Sequence, residues 1–396
     1  MQAVGGMQEK LRAWWWSRQG LDGSLAARAP AEVLARSGWA RSVGGAGPYL
    51  TAFARAGTPR EAMDEAAAAA AIHELPSARG CTYVLPEGDF ALGLKAGQAF
   101  AGAEMKTART LGVKDAEIER LSDALILALA KGPLEPERLR EAVGGACRNL
   151  GPEGQKKGVA TTLPVALGRL QSIGEIRRLS ANGRLDQQRY KYALWRPNPL
   201  DRCRLSAEEV NTELARRYFR WIGPATLASF QGFAGLGVKA AKAAVEPLRL
   251  QPIGEASDHL LLPEDLEAWG TLRPSREHRY ALLGNLDALV LLRRDLSDLV
   301  DPADRDRALF ASGLSELQSH PIFDRGRLVG LWEFDTSNGS IVASLFVKPN
   351  QALTQAMRRT EEFIQSQLGD FRSFSLDSPK SRAPRIASLQ KAAGAN

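Results

Sequence analysis

Three stretches, KGPLEPERLREAVGG (131–145), TLPVALGRLQSIG (162–174) and EIRRLSANGRLDQQRYKYALWRP (175–197), decide the fold. In the first, Pro136 opens a short helix and Gly144 closes it. A polar loop carrying Lys156 and Lys157 follows. The second helix begins near Thr162, an N-cap residue, with Pro164 tolerated in its first turn, and Leu163, Leu167 and Leu170 then repeat at helical spacing until Gly174. After it comes a hairpin: EIRRL, a turn through Asn182 and Gly183, and a return strand in which Tyr190, Tyr192 and Leu194 alternate with polar or small neighbours. Helix, turn, helix and hairpin in this order make a winged helix.

The same order recurs between Asn211 and Trp269, where TELARRYFRWIG, ATLASFQGFAG and VKAAKAAVEPL give three helices before the apolar HLLLP. Recurrence of one unit strengthens both assignments. Toward the N-terminus the chain is alanine-rich and helical in pattern, interrupted by the loop SVGGAGPYL (42–50); residues 61–72, with six consecutive alanines, predict a helix. CTYVL (81–85) reads as a strand, with a helix start at Pro86. Beyond Arg276, GRLVGLWEFD, the turn SNG and SIVASLFVKP predict a second hairpin, and TQAMRRTEEFIQSQLG a closing helix. The expected class is α+β, with tandem winged helix-turn-helix units and a C-terminal β-rich domain. The divisions are an N-terminal helical, winged-helix-like domain (1–110), a winged helix with a basic wing (111–200), a second clear winged helix (201–272), a C-terminal α+β domain (273–375) and a disordered basic tail (376–396).

A chain of 396 residues exceeds what one hydrophobic core serves. At 44% hydrophobic and 24% charged, with mean hydropathy −0.24, it has the composition of a globular protein. The longest aliphatic stretch, 124–130, is far too short for a bilayer. Near the N-terminus, Glu9, Lys10 and Arg12 precede a tryptophan cluster where a signal peptide would have an apolar core. A cytoplasmic, nucleoid-associated protein without a membrane partner is expected. Cys81, Cys147 and Cys203 are too widely spaced for a zinc or redox pair, and His73, His259, His278 and His320 lack the spacing of metal catalysis, so no metal is expected. No motif asks for a cofactor.

The 52 Lys and Arg against 45 Asp and Glu leave +7 and a pI near 9.4, a balance that favours polyanions. Location sharpens this. Lys156, Lys157, Arg169, Arg177, Arg178, Arg184, Arg189 and Lys191 fall on the loop, the second helix or the wing, the parts that meet DNA in a winged helix. A solvated basic face is the competing reading. Arg216, Arg217 and Arg220 alternate with Tyr218, Phe219 and Trp221, whose rings are expected in the core. The triplet Trp14, Trp15 and Trp16 leaves at least one indole exposed on a helix, on an interdomain or DNA-facing surface, unless all pack inside.

Taken in order, RQGLDG (18–23), PYLTAFARAG (48–57), RGCTYVLPEGDF (79–90), RLQSIGEI, RYFRWIGPATLASFQGFAGL, LDALVLLRRD and DRGRLVGLWEFD resemble the AlkZ/YcaQ family of DNA glycosylases, from about Leu11 to Leu368. The resemblance implies a C-shaped, monomeric assembly of three winged helices on a β-rich scaffold. Such proteins grip duplex DNA and hydrolyse the N-glycosidic bond of alkylated purines, including interstrand crosslinks. It also implies a catalytic glutamine, one residue, then glutamine or aspartate, just before the stretch matching PYLTAFAR, able to hold a water beside an oxocarbenium-like sugar.

This chain departs from that motif. LARSGWARSVGGAGPYL (34–50) contains neither glutamine nor carboxylate, and the motif falls on Ser37 and Trp39 or on Ala40 and Ser42. Arg41 and Ser42 are the polar candidates left; a structural loop with a helix-end arginine is the alternative. The family's RGT segment followed by histidine becomes Arg79, Gly80, Cys81 and then Tyr83, which places Arg79 and Tyr83 among the DNA-contacting candidates. Its FDP segment becomes Leu286, Asp287 and Ala288, so Asp287 is the surviving carboxylate, with a structural role as the alternative. Gln19 and Asp22 are further candidates. Two functions follow: a glycosylase with a rearranged loop, or a noncatalytic winged-helix regulator or damage sensor. A small-molecule-responsive regulator has no specific residues behind it.

Overall fold

The computed structural model describes residues 2–255, 257–310 and 312–394. The N-terminal part holds α1 (Gln2–Arg18), α2 (Pro30–Ser37), β1 (Ala40–Arg41), α3 (Gly47–Ala56), α4 (Arg60–Ala68), β2 (Ile72–Pro76), β3 (Thr82–Pro86) and α5 (Phe90–Gln98). The strands form an antiparallel sheet in the order β1-β3-β2, with Ala40 opposite Val84 and Glu74 opposite Val84 on the other edge. The alanine run ends its helix earlier than propensity predicts. Ala70 adopts a left-handed φ of 58°, and Ile72 already pairs with Pro86.

Next come α6 (Ala103–Thr110), α7 (Asp115–Leu129), α8 (Pro136–Val143), α9 (Gly151–Lys156), α10 (Leu163–Ser172) and the antiparallel pair β4 (Ile176–Ser180) and β5 (Tyr190–Leu194). The predicted leucine stripe is the buried face of α10: Leu163, Leu167 and Leu170 join Ile118, Leu121, Leu125 and Leu139 in one core. Burying such side chains contributes about 1.5–3 kcal/mol each. The predicted cationic loop contains a helix, α9. The turn at Asn182 and Gly183 is wider than the two-residue connection expected, because the strands close at Ala181 N to Arg189 O (2.7 Å).

The third part holds α11 (Ala207–Ile222), α12 (Leu227–Ala234), α13 (Val238–Val245), β6 (Gln251–Pro252), β7 (Leu260–Leu261) and α14 (Leu266–Thr271). Ser206 and Glu209 form a reciprocal capping box that starts α11. Tyr218, Phe219 and Trp221 are buried as expected. So are all three tryptophans of α1, the core packing that is the alternative to an exposed indole. Trp14 donates to Gly223 O (2.7 Å) and Trp15 to Pro224 O (3.0 Å), because α11 and its neighbours cover the helix on more than one side.

The C-terminal part contains β8 (Tyr280–Leu282), α15 (Ala288–Leu291), β9 (His320–Asp324), β10 (Arg327–Asp335), β11 (Ser340–Leu345), α16 (Gln351–Phe363) and α17 (Pro379–Gly394). Its four strands run in the order β11-β10-β9-β8, and the predicted hairpin is β10–β11, closing at Asp335 opposite Ser340. The tail is not the disordered segment its composition suggested. It forms α17 on this sheet, where Arg385 pairs with the buried Glu333 (2.8 Å) and the enclosed Arg382 with Asp377 (3.3 Å). Four cations were legible in the tail; their buried carboxylate partners were not.

Candidate nucleic-acid interface

β1 runs into the loop 42–46 that precedes α3, and β3 fixes its direction. Of the positions assigned to the catalytic pair, none faces solvent with a water-holding group. Ser37 is buried and bonds its own helix at Val33 O (2.8 Å). Trp39 is buried among Tyr83, Trp221 and Phe233, and its indole donates to Asp89 (2.8 Å). Ala40 is buried. Ser42 is 3% exposed and donates to Glu74 Oε1 at 2.5 Å.

Arg41 is half-buried. Its Nη1 donates to Thr82 O (2.6 Å), and the guanidinium lies 5.4 Å above the ring of Tyr83, its cross-strand partner. Tyr83 is buried, which raises its phenol pKa above the ordinary value. It therefore serves as a neutral wall. Arg79 is exposed on a strained left-handed residue (φ 57°) beside α12, reaching Gly232 O only at 3.5 Å.

Glu74 was missed by sequence reasoning, since nothing in IHELP marks one carboxylate as special. It lies on β2, 7% exposed, between Ser42 and the wing, with Arg178 Nη2 3.6 Å away. Arg178 in turn lies 4.5 Å over the ring of Tyr190. Burial, with Glu74 as a charged neighbour, raises the Tyr190 pKa. The cluster fastens the hairpin to the N-terminal sheet.

The structure gives Asp287 the structural partners that were its alternative reading. It is the N-cap of α15, and its carboxylate accepts two bonds from Arg55 (2.8 Å each), one from Thr51 (3.1 Å) and one from Leu289 N (3.0 Å). The side chains of Arg55 and Asp287 are 0% and 1% exposed. Arg55 also reaches Gln19 (2.7 Å), which donates to Trp221 O (2.8 Å). Enclosed and fully partnered, the carboxylate is a clasp between the N-terminal and C-terminal parts. Asp22, the other weak candidate, only closes local bonds to Ser17 and Ser24.

The cations fall into two sets. Arg178 and Arg184 are turned inward; Arg184 pairs with Asp186 and donates to Leu368 O (3.0 Å). Arg177 is half-buried, and desolvation lowers its pKa. Lys156, Lys157, Arg169 and Arg189 are exposed, while Lys191 is partly so. Lys156 holds only an exposed pair with Glu153 (2.9 Å), Lys157 a hydroxyl of Thr110 (2.9 Å) and Arg169 a long contact to Glu119 (3.4 Å). Exposed pairs contribute about 0–1 kcal/mol each and exchange readily for phosphate. Among the described residues no cluster of three or more His, Cys, Asp or Glu is arranged to hold a metal, and no helix is long and apolar enough to cross a membrane.

By class this is a mixed α+β chain of small antiparallel sheets joined by helices, with a four-stranded sheet near its C-terminus. The model of a family described as "DNA glycosylase AlkZ-like" matches residues 40–374, and the chain belongs to that family. Among solved structures it is similar to Streptomyces sahachiroi DNA glycosylase AlkZ. The TM-score is 0.68 at 17% sequence identity, over 92% of this chain and 97% of that one, so the fold is shared. No curated protein gives a match.

Proposed function

We propose that this chain binds duplex DNA through two winged-helix units, 111–200 and 201–272, the first of them presenting its cations to the backbone. The observation that carries the reading is the exposed set Lys156, Lys157, Arg169 and Arg189, with the half-exposed Lys191, at the end of α9, on α10 and on the hairpin, none held by more than a surface contact. Family membership supports DNA as the partner. Cations so placed neutralise phosphates and read little sequence.

Fluorescence anisotropy with a random labelled duplex tests this. With about four phosphates neutralised, affinity should fall roughly 100-fold between 50 and 200 mM salt. An unbound duplex at both salt concentrations would overturn the reading.

A second reading, hydrolysis of the N-glycosidic bond of an alkylated purine, is favoured by the Glu74–Ser42 pair one residue from Arg41. A carboxylate and a hydroxyl can orient a water once bound DNA opens the loop. A duplex carrying N7-methylguanine, treated with alkali after incubation, separates the two. Scission above buffer supports hydrolysis, and loss of scission in Arg41→Ala with affinity intact would place Arg41 in the reaction. Binding without scission leaves a noncatalytic sensor or regulator.

A further inference from the structure

A cavity of about 270 Å³ lies where the second winged helix meets the segment that follows α15. Thr226, Ser229 and His259 line one side of it, and Arg293, Asp295 and Asp298 the other. Small-molecule sites favour such seams between parts of a chain.

One pole of the cavity is cationic. The Arg293 guanidinium lies 3.6 Å from the centroid of the Trp15 ring, its Nε donates to Leu289 O (3.0 Å), and its buried Nη2 has no hydrogen-bond partner. It forms no ion pair among the described residues, and burial pulls its pKa down to about 10. Buried charges are ordinarily paired, so this one is short of an anion. Thr226 adds to the same pole as the N-cap of α12: its hydroxyl accepts from Ser229 N (3.1 Å) and donates to the Ser229 hydroxyl (3.0 Å). The start of a helix is its positive end.

The mouth is acidic. Asp258 and Asp298 share one imidazole, His259, at 3.1 Å from Nδ1 and 3.3 Å from Nε2. The exposed Asp295 bonds only Ser297 N (2.6 Å) and forms no ion pair among the described residues. Nor does its exposed neighbour Arg294.

We propose that this cavity binds a small zwitterion of the α-amino-acid class, with its carboxylate on Arg293 and its ammonium between Asp295 and Asp298. Each end of such a ligand meets a group that the protein itself leaves uncompensated. Guanidinium and carboxylate match as two parallel N–H···O bonds. The volume lies below the roughly 300–1,000 Å³ of drug-sized ligands, which favours a ligand smaller than a nucleotide. A plain acid would fill only the inner pole, and a plain amine only the mouth. The proposal is independent of the duplex-binding reading, and it supplies residues for a chain that responds to a small molecule.

Equilibrium dialysis of the full chain against radiolabelled α-amino acids, mixed and then singly, tests this, with acetate and methylammonium as competitors that carry one charge each. The expected result is one amino acid bound per chain, displaced about tenfold or more less readily by either competitor than by the same amino acid unlabelled. Asp295→Asn keeps the acceptor for Ser297 N and removes the charge; Arg293→Met keeps an apolar contact with Trp15 and removes the guanidinium. Each should weaken binding about tenfold or more, and Asp295→Asn should leave competition by acetate unchanged in the wild-type rank. Circular dichroism melts check folding, and Asp295→Asn, at an exposed position, carries the test if Arg293→Met unfolds. Retention of no amino acid overturns the proposal. So does equal retention by the wild type and the folded variants, or acetate competing as well as the amino acid, since the mouth would then contribute nothing.

Discussion

Replacing Asp287 by alanine tests whether its carboxylate is a clasp. The substitution strands the Arg55 guanidinium, 0% exposed, without either of its two 2.8 Å bonds, and removes the acceptor for Thr51 and Leu289 N. Breaking a buried pair from one side costs about 3–5 kcal/mol, and losing an N-cap adds about 1. With a urea slope of at least about 3 kcal/mol/M for a chain of this size, the unfolding midpoint should fall by about 1.5 M. Circular dichroism at increasing urea measures it. The double variant Arg55→Leu with Asp287→Leu should recover most of the loss, because two apolar side chains leave no charge uncompensated. A midpoint within about 0.3 M of wild type for Asp287→Ala would refute the clasp and reopen a role for this carboxylate in chemistry.

Other perturbations report on other parts of the molecule. His73 is buried against Phe90 and Trp195 with its pKa pushed down to about 3, by desolvation first and by Arg177 and Arg178 next. The unfolded chain therefore binds a proton that the folded chain refuses, and stability declines as pH falls from about 6.5 toward 3, at up to about 1.4 kcal/mol per pH unit. The buried His320, also shifted down, adds in the same direction. His73→Phe should flatten the slope between pH 6 and 5 by about 1 kcal/mol per unit, read from urea midpoints; an unchanged slope would contradict a neutral buried imidazole. Glu74→Ala should cost about 2–3 kcal/mol through lost charge-assisted bonds and speed amide exchange in 180–190, with Glu74→Gln milder; equal exchange in both would detach Glu74 from the wing. Arg385→Ala leaves Glu333 buried without its cation and should release α17, seen as faster exchange across 379–394.

How much of this was legible depended on whether the relevant partner was near in sequence. The β10–β11 hairpin and the Leu163, Leu167, Leu170 stripe follow from period and turn chemistry, which are local. Asp287 was legible as a carboxylate but not as a clasp, since Arg55 lies 232 residues away. The same distance problem left open what buries three consecutive indoles: helical geometry points them in different directions, and α11 and the segments around it supply the walls. Glu74 carries no local signal at all. It becomes notable through Ser42 and Arg178, and so depends on how the wing lies against the N-terminal sheet.

The way α1 is held bears on how the chain reaches this state during synthesis. Trp14 and Trp15 anchor on carbonyls 209 residues downstream, and Arg12 bonds Asp301, 289 residues on. At about 5–20 residues per second, a ribosome needs roughly 15–60 s to make that distance. Throughout this interval the nascent α1 carries three adjacent indoles without the downstream segments that receive them. Helix α1 is thus seated only after those downstream partners exist, and until then its indoles are exposed surface that a chaperone can shield.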